Sequence, residues 1–238
     1  MKKRLFLAAL ALAGAMALSG CGSSKSASKN GKILTIEEGP DVETIDPALN
    51  QSADGANYIT MISDNLLRID KDGKIAPSMA EKYEVSDDGL TWRFHLRDGL
   101  KWSDGSDFTA NDFVYSWQRM VDPEVAAPYA ETMLGMVEGY KDAIGNPDAN
   151  GNTTTTPDRT KLKVEATDDK TFVVHMSRPT PYFDRLATFA ALSPVKKDVV
   201  EANPDGWSLD PKTYVSTGPF KLTEWKQGSY LMFEKNEN

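Results

Sequence analysis

Cysteine is almost absent from this sequence: Cys21 stands alone among 238 residues. No intramolecular disulfide can form, and a chain of this length can instead bury a sizeable apolar core, in one large or two small domains. Histidine is nearly as rare, with only His95 and His175. No zinc-ligand spacing, nucleophile elbow or phosphate-binding glycine loop occurs. Long basic runs are missing as well, and the formal net charge is −8. An acidic chain without a basic stripe argues against a nucleic-acid partner. The long apolar run, Leu5 to Leu18, is too short to span a bilayer comfortably.

What is there begins with that run. It follows the cations Lys2, Lys3 and Arg4 and has the proportions of a secretion signal. Leu18-Ser19-Gly20-Cys21 comes next and resembles a bacterial lipobox, in which Cys21 becomes the lipidated N-terminus and acyl chains anchor the protein. An ordinary signal peptide with an incidental cysteine is the alternative; the place of the sole Cys at the cleavage point speaks for lipidation. Removing residues 1–20 deletes three of the 27 basic residues and leaves −11. Residues 21–31 are small and polar and read as a flexible tether.

The densest structural signals lie between Gly89 and Pro123. Trp92, Phe94 and Leu96 alternate with polar residues, the period of a half-buried strand. Asp98-Gly99 turns, Leu100 and Trp102 resume a short strand, and Ser103-Asp104-Gly105 turns again. Thr109 with Asp112 then starts a helix in the manner of a capping box. Phe113, Val114, Trp117, Met120 and Val121 recur at helical spacing, Arg119 sits in the last turn, and Pro123 stops the helix.

These residues carry a resemblance. Trp92, Phe94, Leu96, Arg97, Gly99, Trp102, Ser103, Asp104 and Gly105, followed by Thr109, Ala110, Asp112, Phe113, Tyr115, Ser116 and Trp117, are similar to the strand, turn and helix of the family-5 solute-binding proteins of bacterial ABC importers. That family includes oligopeptide- and dipeptide-binding lipoproteins. The resemblance runs from about Leu34 to Asn238. It implies an α/β, two-lobed periplasmic-binding-protein-like fold of type II with an extra inserted domain, incomplete here at the C-terminus because family members are more than twice as long. It divides the chain into a lipoprotein signal peptide (1–20), the tether (21–31), the first part of lobe one (32–70), an inserted second lobe (71–178) and a continuation of lobe one (179–238).

The resemblance also suggests sites. Thr44-Ile45-Asp46-Pro47 matches a family element after which an extended segment hydrogen-bonds to peptide backbone; the matching positions are Gln51, Ser52 and Ala53. An extended backbone suits peptides of varied sequence. From the residues alone, a surface loop is the simpler reading. Ala127-Pro128-Tyr129-Ala130 matches a segment whose Tyr lies at the peptide site, so Tyr129 is a candidate ligand contact; a core Tyr on a helix starting at Pro128 is the alternative. Asp148, Asn150 and Asn152 have the look of a calcium loop, but no Glu closes the frame, so residues 145–160 read as a solvated loop. His95 and His175 read as surface strand residues.

Elsewhere, Ile33, Leu34 and Ile36 predict a strand. Asp54 or Gly55 should open a helix through Leu67, and Lys71 to Lys74 should turn a hairpin. Residues 162–176 should form another hairpin. Phe183 to Ala190 should be one helix, and Gly218 should lend backbone freedom to a turn. The function implied is capture of extracytoplasmic oligopeptides by backbone pairing and lobe closure, with delivery to an ABC permease, by a monomer tethered to the membrane through Cys21. No catalytic residue, metal or cofactor is expected. Alternatives are another solute, such as a nickel complex, haem or an oligosaccharide, or a carboxylate-based hydrolase.

Overall fold

The computed structural model describes residues 33–37 and 39–238; the signal segment, the tether and Cys21 lie outside them. Residues 33–37 form no strand, and Ile33 and Leu34 are largely exposed. Apolar, β-branched residues form a strand only where a second strand takes their backbone groups, and no described strand pairs with these residues.

Residues 39–238 form one compact unit. It opens with helix α1 (Ala53–Ile62), which starts at Ala53 because Ser52 caps it, its Oγ accepting the Gly55 N–H at 2.9 Å. The helix ends at Ile62, short of Leu67, which opens β1 instead. Strands β1 (Leu67–Ile69) and β2 (Ile75–Pro77) pair antiparallel across the expected turn. Asp70 holds that turn by accepting the Asp72 and Lys74 N–H groups, both at 2.9 Å.

The main sheet is antiparallel throughout, in the order β3-β4-β6-β5. Its strands are β3 (Ala80–Val85), β4 (Thr91–Leu96), β5 (Val164–Asp168) and β6 (Thr171–His175). Register pairs Phe94 with Phe172 and Trp92 with Val174 on one face. Helix α2 (Ala110–Met120) lies over it: Trp117 meets Phe172 edge to face at 4.9 Å, and Phe113 meets it at 5.5 Å. The α2 start is fixed by Asp112, whose carboxylate accepts the Thr109 N–H at 2.7 Å. Leu100 to Trp102 is not a strand; a single bridge joins Lys101 to Asp107. Two turns within eight residues leave no room for a ladder, and Trp102 is buried by packing on Phe108 at 5.1 Å.

Short helices α3 (Ala130–Leu134), α4 (Tyr140–Ala143), α5 (Phe183–Leu186) and α6 (Lys197–Ala202) fill the rest, with 3-10 turns at Arg159–Lys161 and Ala190–Leu192. The helix expected over 183–190 is thus broken. Phe189 has left the helical region, at φ −80° and ψ 135°, and its carbonyl turns instead to Asn65 Nδ2 at 2.7 Å and to the Leu192 N–H at 2.9 Å. Strands β7 (Phe220–Lys226) and β8 (Tyr230–Lys235) close a hairpin at Gly228, which has φ of 70°.

Two apolar cores result. The larger gathers the sheet, α2 and residues up to Leu192. The smaller draws its buried members from Val42 to Ile62 and from Ala190 to Leu222, among them Trp207 stacked on Tyr214 at 5.2 Å. Gly218 joins the two stretches of the smaller core, its N–H donating to the Ile62 carbonyl at 2.8 Å. A Cβ there would sit 2.4 Å from the Ile62 carbonyl carbon. Close backbone approach, rather than an unusual φ, is what this position requires.

Candidate functional site

The 44–53 stretch is held from both ends. Asp46 is buried and forms a two-pronged ion pair with Arg119 at the end of α2, at 2.7 and 3.1 Å. Its Oδ1 also accepts the Ala48 N–H at 2.9 Å, and its carbonyl accepts from Leu49 and Asn50. Below it, the buried Tyr214 hydroxyl donates to the Ile45 carbonyl at 3.0 Å. Burial, with the Asp46 charge nearby, pushes the Tyr214 phenol well above its usual range. Pro47 then directs the chain to Gln51.

Of the three candidate backbone positions, Gln51 is exposed and its N–H and C=O have no partner among the described residues. Ser52 is extended, at φ −97° and ψ 148°, but its N–H goes to Asn50 Oδ1 and its C=O accepts from Ala56 N–H and Asn50 Nδ2. Ala53 is the first residue of α1 and not part of an extended run. The segment therefore offers an incoming strand both groups of Gln51 and the N–H of Ala53, with Ser52 acting as the helix cap.

Tyr129 caps α3 rather than lying within a helix begun at Pro128. It is half-buried, packs on the edge of the larger core, and meets Phe189 edge to face at 5.5 Å. The ring backs onto a core and keeps an open side. Two hollows of about 300 and 250 Å³ lie elsewhere, one beside β1 to β3 and one between Asp64, Arg97 and Thr217–Pro219. Neither is lined by Gln51, Ser52, Ala53 or Tyr129.

His95 and His175 face Glu84 and Glu165 across the sheet, at 3.4 and 3.1 Å. Asp148 turns its Oδ1 onto the Asn150 and Asn152 N–H groups of its own loop. Among the described residues no group of three or more His, Cys, Asp or Glu is placed to hold a metal ion. Phe189 is passed over in the sequence, and Arg119 reads there only as a cation in the last turn of α2. Arg119 had one available signal: it stands three residues after Ser116 on the buried side of α2.

Comparison with known proteins bears on the family and the fold. Residues 74–238 match the model of the bacterial extracellular solute-binding proteins, family 5 Middle. The chain belongs to this family. Among family relatives, the periplasmic oligopeptide-binding protein OppA of Salmonella typhimurium is 37% identical over 206 residues, covering 86% of this chain and 36% of that protein. The oligopeptide-binding protein OppA of Bacillus subtilis is 34% identical over 247 residues, covering all of this chain and 43% of that one. The solved structure of Haemophilus influenzae OppA in complex with RPPGFSPFR superposes with a TM-score of 0.75 at 37% identity, over 84% of this chain and 37% of that one. The fold is accordingly that of part of a periplasmic binding protein. The chain spans little more than a third of the Salmonella and Haemophilus relatives.

Proposed function

We propose that this chain is the N-terminal portion of an oligopeptide-binding protein that serves an ABC importer. The observation that carries the reading is the match to family relatives named as oligopeptide-binding proteins, one of them solved with a nine-residue peptide, over nearly the whole described body. The free backbone groups of Gln51 support recognition by strand pairing, which tolerates any side chain on the ligand. Tyr129 supplies a flat apolar face and a hydroxyl. No residue is required to do chemistry.

The lobes follow the same reading: residues 32–70 and 179–238 form lobe one, and 71–178 are inserted between them. The composition of the smaller core supports this, since its buried members come from the two flanking stretches. Ligand capture is closure of lobes around the peptide, and the closed form, a monomer, docks on the permease. Lipidation of Cys21 after removal of residues 1–20 holds the protein on the outer side of the cell membrane.

Titration calorimetry of the unliganded full-length protein with tri- and tetrapeptides tests the reading; saturable micromolar or tighter binding is expected, and no heat with any peptide overturns it. One observation favours a second class of ligand. A probable deoxycholate-binding periplasmic protein of Escherichia coli is 35% identical over 86% of this chain. Deoxycholate therefore belongs in the same titration, and saturable binding of it without peptide binding replaces the first reading.

A further inference from the structure

Phe189 is a large apolar side chain left 40% exposed on a segment with no freedom to hide it. Its N–H donates to the Leu186 carbonyl at 2.9 Å. Its carbonyl accepts the Leu192 N–H at 2.9 Å and Asn65 Nδ2 at 2.7 Å. Asn65 is itself buried and reaches Ser193 Oγ at 3.3 Å with the same nitrogen. The Phe189 ring stands at 67° to that of Tyr129, so the two form a corner. No described side chain takes the Tyr129 hydroxyl.

The size of the open surface limits what can cover it. An aromatic side chain buries on the order of 150–250 Å², so the exposed part of Phe189 is about 60–100 Å². A stable protein interface takes about 800 Å² from each partner. The corner fits one side chain and not a folded partner. Because three hydrogen bonds fix the Phe189 backbone, the corner is formed before anything binds, and little ordering cost opposes the contact.

We propose that Phe189 and Tyr129 form an aromatic subsite that receives one aromatic side chain of a bound peptide. This rests on the peptide-binding reading and gives it a side-chain preference that backbone pairing alone cannot supply. The incoming ring extends the edge-to-face pattern, and the Tyr129 hydroxyl is left to bond with the ligand backbone.

The test is titration calorimetry on the unliganded full-length protein, using tri- and tetra-alanine and the same peptides with Phe at each position in turn. The wild type should favour Phe over Ala at one position by about tenfold, the scale of one aromatic pair. Phe189→Ala should abolish that preference and leave alanine peptides bound as before, while Phe189→Leu keeps part of it. A Phe189→Ala protein that retains the full preference overturns the inference. So does an equal loss for both kinds of peptide, which marks a purely structural residue. A wild type that binds no peptide at all overturns the underlying reading instead.

Discussion

Replacing Arg119 by Met should destabilise the protein by about 3–5 kcal/mol, the cost of leaving one member of a buried ion pair alone. The magnitude follows from burial. The Arg119 and Asp46 side chains are 6% and 1% exposed, whereas those of the surface pair Lys71–Asp72 are 86% and 58% exposed. A surface pair of that kind is worth less than about 1 kcal/mol. Without Arg119, the Asp46 carboxylate keeps only the Ala48 N–H. Asp46→Asn alone strands the guanidinium instead. Asp46→Asn with Arg119→Met removes both charges and keeps an acceptor for Ala48, so the double variant should be more stable than the sum of the single losses predicts. A coupling of at least about 2 kcal/mol is expected, against about 0.5 kcal/mol for independent sites. Urea denaturation followed by tryptophan fluorescence reads it, with Trp117 two residues from Arg119 as a reporter. Additive single losses, or an Arg119→Met variant as stable as wild type, would refute the idea that this pair fastens the 44–53 stretch to α2.

Gly218→Ala should cost roughly 1–3 kcal/mol in the same assay, because the new methyl forces apart the backbones at Ile62 and Ser63; an unchanged midpoint would mean the turn relaxes freely. Burial outweighs the Arg97 and Arg68 charges at Asp64, so its carboxyl stays above the ordinary 3.8. The folded state then holds this proton more tightly than the unfolded one, and its penalty grows as pH rises through 3.8 to the folded value. Asp64→Asn should therefore stabilise the protein at neutral pH and not below 3.8, and a gain independent of pH would contradict this. At Asp104 burial raises the carboxyl, but hydrogen bonds from Lys196 and Ser106 prevail and hold it at about 2. Its contribution is present above 3.8 and fades as pH falls toward 2, so the loss in Asp104→Asn should shrink over that window in acid denaturation. Tyr129→Ala should weaken peptide binding about tenfold in calorimetry; wild-type affinity would remove it from the site.

Local signals made much of the fold legible. The alternation at Trp92, Phe94 and Leu96 and the Thr109–Asp112 start report on their own neighbours, so the sequence shows them directly. Partners far apart in the chain leave no such trace. Arg119 reads as an ordinary cation near a helix end until α2 is seen against Asp46, 73 positions away. Phe189 reads as the inside of a helix until Asn65 is seen to take its carbonyl. The strand expected from Ile33, Leu34 and Ile36 had apolar, mainly β-branched residues but no partner among the described residues. At Gln51 to Ala53 the resemblance located the segment, while the Ser52 cap, a feature of four residues, decided which backbone groups stay free.

The most direct test of the central proposal is native mass spectrometry of the full-length protein purified from its own source. It should carry a spread of adducts matching short peptides, which exchange for an added tripeptide. A protein that carries no peptide adduct and takes none up, or that carries deoxycholate alone, would contradict it.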